Sequence, residues 1–161
     1  MNPTPGHWLC SVVDVPLAVV QSWEARGSYI NQGELLVGPL IAYTYAELIQ
    51  ARDIIWFLDN TSAISSLIKG ASSIEDSCQL AMRAQMCFMA LRCRVWFEHV
   101  GTKQNPSDGL SRDGLDDPWV RSRIAAGVWS VLPCRAYDWD RISRAPLNEV
   151  WDSIEALGDA A

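Results

Sequence analysis

The run Ile54-Ile55-Trp56-Phe57-Leu58 constrains the fold of this chain more than any other segment. It is continuously apolar and bounded by Asp53 and Asp59. A run without polar alternation is expected of a central strand that is buried on both faces. The next part of the chain is helical in pattern. Asn60 and Thr61 can cap a short helix that ends at Gly70. Ser72 or Ser73 caps a longer helix reaching to about Arg92, with Glu75 and Asp76 in its first turn. Ile74, Cys78, Ala81, Phe88 and Leu91 give that helix its apolar stripe. Arg94 to Val100 reads as another strand, so the chain belongs to the α/β class.

Upstream, His7 to Val13 and Leu17 to Glu24 are strand-like runs separated near Pro16. Their valines, Val12, Val13, Val19 and Val20, suggest a hairpin. Gly27 and Ser28 mark a turn, and a helical pattern begins at Ile30, with Leu36, Leu40, Tyr43 and Glu47 near one face. Asn31 is a candidate N-cap and Glu34 falls in the expected first turn. Gly38-Pro39 predicts a kink or a delayed start. Gly101 to Pro106 is a loop that leads to a short helix carrying Asp108.

Beyond Arg112, Asp113 to Pro118 forms an acidic break. The remainder holds Trp119, Trp129, Trp139 and Trp151 of the chain's 8 tryptophans and reads as helical pieces broken at Pro133 and Pro146. Two parts are expected: a domain over residues 7–112 and a Trp-rich helical C-terminal extension over 113–161.

The formal net charge is −6 and the pI near 4.8. That balance is unusual for a protein that binds nucleic acid by a large basic surface, because phosphate contacts normally come from Lys and Arg. Either the partner is not nucleic acid, or binding uses metals and basic segments elsewhere in a larger protein. The 5 cysteines are odd in number and form no Cys-x-x-Cys pair, which argues against a zinc site or disulfide framework and for a reducing compartment. No apolar run is long enough to span a bilayer, and Met1 to Gly6 lack the features of a signal peptide. An intracellular protein, in cytoplasm or nucleus, is expected.

Glu34, Asp59 and Asp108 each lie at the edge of an expected element. Carboxylates that converge make a site for hard divalent cations. Each also has a plain structural role open to it. Asp59-Asn60-Thr61 can be a strand end and helix cap, Glu34 a solvated residue favoured by the helix dipole, and Asp108 a cap after Pro106.

Taken together, the segments 30–36 (Ile-Asn-Gln-Gly-Glu-Leu-Leu), 57–63 (Phe-Leu-Asp-Asn-Thr-Ser-Ala) and 105–112 (Asn-Pro-Ser-Asp-Gly-Leu-Ser-Arg) resemble the ribonuclease H domain of retroelement (retrotransposon) reverse transcriptases. The resemblance covers His7 to Arg112, and the last motif is its most specific part. It implies a ribonuclease H-like mixed β-sheet flanked by helices. It also implies a metal-dependent endoribonuclease that cleaves the RNA strand of RNA–DNA hybrids. Glu34, Asp59 and Asp108 would hold two Mg²⁺ or Mn²⁺ ions, as in two-metal phosphodiester hydrolysis. His99 would assist proton transfer or product release, or be an ordinary strand-end histidine. Asn60, Asn105, Ser111 and Arg112 would line the substrate. Asn60 can instead cap its helix, and Arg112 can pair with a surface acid.

The family normally opens with a strand that bears a first catalytic Asp, and this sequence begins at the expected hairpin. Asp14 is the one substitute, but the interval from it to Glu34 is too short for a further hairpin of ordinary strands, so Asp14 is read as a turn residue. An N-terminally truncated domain is expected, part of a reverse transcriptase polyprotein, with activity weakened by the loss. The alternative is a catalytically inactive remnant that serves as a nucleic-acid-binding or protein-interaction module.

Overall fold

The computed structural model describes residues 7–135, 139–143 and 145–159. In chain order the elements are β1 (Trp8–Cys10), α1 (Leu17–Val20), α2 (Ile30–Ile49), β2 (Asp53–Leu58), α3 (Thr61–Lys69), α4 (Glu75–Ala90) and β3 (Arg94–His99). Next come α5 (Asp108–Asp113), α6 (Pro118–Ala125), β4 (Trp129–Val131), α7 (Trp139–Ser143) and α8 (Leu147–Asp159). Single 3₁₀ turns at Thr102–Gln104 and Gly114–Asp116 flank α5.

The apolar run at 54–58 is the heart of β2, and β3 pairs with it in parallel from Asp53 opposite Arg94 to Leu58 opposite His99. The connection through α3 and α4 is what a parallel pair requires. Asn60 starts α3, its side-chain oxygen accepting from the backbone N–H of Ser62 (3.0 Å) and Ala63 (3.2 Å). Gly70 ends it at φ 61°, the left-handed geometry that glycine adopts at no steric cost. The expected burial of β2 on both faces is corrected. Ile54, Trp56 and Leu58 turn toward the helices, whereas Asp53, Ile55 and Phe57 are exposed. With no second helical layer among the described residues, Ile55 and Phe57 of the apolar run have no cover.

The expected hairpin is also corrected. Pro16 has no N–H to give to a strand partner, and its carbonyl instead accepts from Val19 N and Val20 N to open the single turn α1. The first strand shrinks to Trp8–Cys10 and pairs in parallel with β4, Trp8 opposite Trp129. The two indoles stack at 5.8 Å, and Trp119 meets Trp129 edge-on at 5.2 Å. Cys10, Val120 and Trp129 form the small core beneath. The C-terminal part is thus not wholly helical. Its last helices reach into the main core, where Ile142, Val150 and Ile154 are buried with the residues of α2 and α4.

In α2 the helix begins at Ile30 with Tyr29 at its N-cap, so Asn31 lies inside it rather than capping it. Ile74 rather than Ser72 or Ser73 occupies the N-cap of α4, and Ser72 Oγ accepts from Ile74 N at 3.2 Å. Pro39 is held within α2, and the backbone leaves helical values only at Tyr45 (φ −118°, ψ 19°). Packing explains why the helix continues. A side-chain carbon at Gly38 would lie 2.7 Å from Ala84 Cβ on α4 and 3.2 Å from the Trp56 ring on β2. The small residue lets α2 settle onto α4 and the inner sheet face, and burial of Leu35, Leu36, Ala42 and Tyr43 outweighs the local cost of Gly-Pro.

This close approach separates two glycines of one helix. Gly38→Ala is expected to cost about 1–3 kcal/mol, because Ala84 and Trp56 must give way. Gly33→Ala meets nothing within 4 Å and is expected to be neutral or to gain up to about 1 kcal/mol. Urea unfolding of the two variants checks this; equal effects would show that the contact at Gly38 does not limit the packing.

Candidate functional site

Two of the three candidate carboxylates meet. Asp59 directly succeeds β2, and Glu34 lies in the second turn of α2 because that helix starts at Ile30. The expected first-turn position is therefore corrected by one turn, and burial rather than the helix dipole governs Glu34. Its carboxyl is pushed up to about 7, first by burial, then by the charge of Asp59 and a hydrogen bond between the two side chains. With Glu34 protonated, its hydroxyl donates to the Asp59 carboxylate.

A polar network holds the helix ends at this point. Asn60 Nδ2 approaches Asn31 Oδ1 at 3.5 Å, and Asn31 Nδ2 donates to Ser77 Oγ at 3.2 Å. Gln32, only 1% exposed, donates to Ser77 Oγ at 2.9 Å and to Asp76 Oδ1 at 3.1 Å. Asp76 also receives the Arg26 guanidinium and, at 2.9 Å, the backbone N–H of Glu24. The start of α2 is thus tied to the start of α4 and to the segment that carries Asp59. Sequence reasoning missed this network. Its one signal is a polar Gln32 at helical spacing from the buried Leu35, Leu36 and Pro39, where an apolar residue would be expected. Gln32 Oε1 itself has no hydrogen-bond partner among the described residues.

His99 is exposed at the end of β3 opposite Leu58, and so lies at the same end of the sheet as Asp59. Asn60 commits its side-chain oxygen to the α3 cap, the structural role that was open to it. Asp108 is the first residue of α5 and pairs with Arg112 at 2.9 Å. Its carbonyl accepts from Ser111 Oγ at 2.9 Å. Asn105 Oδ1 accepts from Ser107 N at 3.1 Å and Ser107 Oγ at 2.7 Å, which makes the Asn-Pro-Ser-Asp stretch a hydrogen-bonded turn into α5. Asp108 is thus engaged by Arg112 and Ser111, and Asn105 by Ser107. Asp14 is exposed and outside regular structure.

Among the described residues, no group of three or more His, Cys, Asp or Glu side chains is placed to share a metal ion. The donor set that does converge is the Glu34–Asp59 pair. Two carboxylates in contact need a proton or a cation between them, and one divalent ion completed by water fits that set. No protein-family model, curated protein or solved structure matches the chain. The site is thus characterised by its geometry alone.

The Glu34 shift has a signed consequence. Below pH 4.5 the carboxyl is protonated in folded and unfolded chains alike; between there and about 7 only the folded chain keeps the proton. Stability contributed by the protonated pair is therefore full at low pH and is lost as pH rises to about 7. The loss is expected to be about 1–2 kcal/mol, below the full linkage value because the pair is half open to solvent. Urea midpoints measured across that range should flatten in Glu34→Gln, and an unchanged pH profile in that variant would show that another group is responsible.

Proposed function

We propose that this chain is a ribonuclease H-like, metal-dependent endoribonuclease that acts on the RNA strand of RNA–DNA hybrids as part of a retroelement reverse transcriptase. The observation that carries the reading is the contact of Glu34 with Asp59 at the C-terminal end of β2. Ligands of α/β sheets gather at such strand ends. A Mg²⁺ or Mn²⁺ ion held by the pair would supply a more acidic bound water and neutralise charge on the scissile phosphate. Magnesium commonly uses one or two carboxylates, with substrate phosphates and water filling its other positions. In this reading Glu34 and Asp59 would hold the ion that binds the phosphate, and His99, at the same end of the sheet, would give a proton to the departing oxygen. Asn60 fixes the turn that presents Asp59. Arg112 serves a phosphate only by leaving Asp108. The net charge of −6 leaves strong backbone binding to basic segments of a larger polyprotein.

The Asp108–Arg112 ion pair favours a second reading, an inactive ribonuclease H-like remnant kept as a nucleic-acid-binding or protein-interaction module. A labelled RNA–DNA hybrid incubated with the protein and either metal ion separates the two. The enzyme cleaves the RNA strand only with metal, and Asp59→Asn or Glu34→Gln lowers the rate by more than ~100-fold, beyond the usual effect of outer-shell partners. Asp108→Asn changes the rate by only a few fold if the pair alone holds the ion. Absence of cleavage by the folded protein with both ions overturns the enzyme. Salt-sensitive hybrid binding without turnover then supports the remnant.

A further inference from the structure

The outer face of the β2–β3 pair is arranged in three cross-strand rows: Asp53 beside Arg94, Ile55 beside Trp96, and Phe57 beside Glu98. Its apolar members are open to solvent, Ile55 at 64%, Phe57 at 56% and Trp96 at 67%. Parallel strands are rarely left with an uncovered face. Among the described residues nothing covers this one, because α2, α4 and the C-terminal helices share the core on the opposite side.

Charge decides what fits. Along β3 the outward residues read Arg94, Trp96, Glu98, a cation and an anion on either side of an indole. Arg94 is held by a two-point pair with Asp53 (2.6 and 2.9 Å), and Glu98 accepts from the Trp96 indole N–H at 3.2 Å. Along β3 this pattern, with opposite charges at equal distances from a centre, is complementary to itself when turned end for end, while on β2 Asp53, already paired with Arg94, falls opposite Phe57. We propose that this face binds a second copy of the chain, about a two-fold axis that lies in the interface, perpendicular to the strands, at the Ile55–Trp96 row. Trp96 then packs on Trp96 of the second copy and Ile55 on its counterpart. Arg94 meets Glu98 of the second copy, and Glu98 meets its Arg94. Glu34 stays outside the contact, since it belongs to a helix on the other side of the sheet.

The apolar patch consists of three side chains, Ile55, Phe57 and Trp96. So few fall short of the ~800 Å² per partner of a standard stable interface, so a micromolar rather than nanomolar dimer is expected.

The test is a charge swap read by sedimentation or light scattering from about 1 to 500 μM, the range that brackets such an affinity. The wild-type chain should pass from monomer to dimer in that range. Arg94→Glu and Glu98→Arg should each weaken self-association at least ~10-fold, the single charge reversal placing like charges together at both ends of the seam. An equimolar mixture of the two variants should recover wild-type affinity, because each then presents the charge the other lacks. Circular dichroism of the single variants confirms that they fold. A wild-type chain that stays monomeric throughout overturns the proposal, and is the result expected if another protein covers this face. A dimer indifferent to both reversals, or a mixture that fails to associate, overturns it too.

Discussion

The close approach of α2 to α4 at Gly38 and Ala84 is the contact on which the rest of the structure depends. Gly38 leaves no room for a side-chain carbon between Ala84 and the Trp56 ring. That lack of room brings one helix onto another helix and onto the inner face of β2 at a single place. Ala81, Ala84 and Cys87 on α4, and Ala42 and Ala46 on α2, are fully buried. Small side chains let the helix backbones approach closely, and close packing of that density leaves little freedom to slide. A helix that cannot slide fixes the height of its first two turns relative to the end of β2. Glu34 meets Asp59 for this reason.

The polar network above the contact completes the same constraint from the other end. Gln32, Asn31, Ser77 and Asp76 exchange hydrogen bonds where an apolar core would tolerate several registers. Hydrogen-bonded groups in a buried position tolerate fewer, because a shift leaves donors unpaired. Gly38 sets how near the helices come, and Gln32 with Asp76 sets their register. Burial first, and then the approach of Asp59, push the Glu34 carboxyl up to about 7. The fold holds two carboxyl groups against each other, one of them keeping its proton up to about pH 7. Carboxyl groups perturbed in this way cluster at functional sites.

Much of this was legible along the chain and some of it was not. Local signals told true: the strand from Asp53, the Asn60 cap, the Gly70 stop and the strand from Arg94 all depend on neighbours in sequence. The hairpin failed because β-branched valines at 12–20 suit strands only where a partner strand is in reach, and Pro16 diverts the chain into a turn of helix. The cover of β2 was invisible because an unbroken apolar run carries no alternation to tell one face from the other. The C-terminal tryptophans fall among helix-like pieces in sequence, yet Trp129 sits in a strand paired with Trp8 from the other end of the described chain. For the site, the motif residues were visible but their company was not. Asp108 lies four residues before Arg112 on one helix, and that ion pair needs nothing else from the fold. Glu34 and Asp59 meet through Gly38 and Gln32, residues that look ordinary in sequence.

The two unsatisfied features of β2, an uncovered outer face and a carboxylate pair at its C-terminal end, have one cause. A parallel pair has two faces, and the helices that pack through Gly38 occupy only the inner one. Their packing presses Ile54, Trp56 and Leu58 inward, and strand alternation must then send Ile55 and Phe57 out. The same strand delivers Asp59 beyond its last pleat, into contact with the helix that covers it. Moving the outer apolar residues inward would take a one-residue register change, which would also carry Asp59 away from Glu34. The exposed face and the carboxylate pair are therefore consequences of one register. A cover from a second copy would satisfy the first without a change of register.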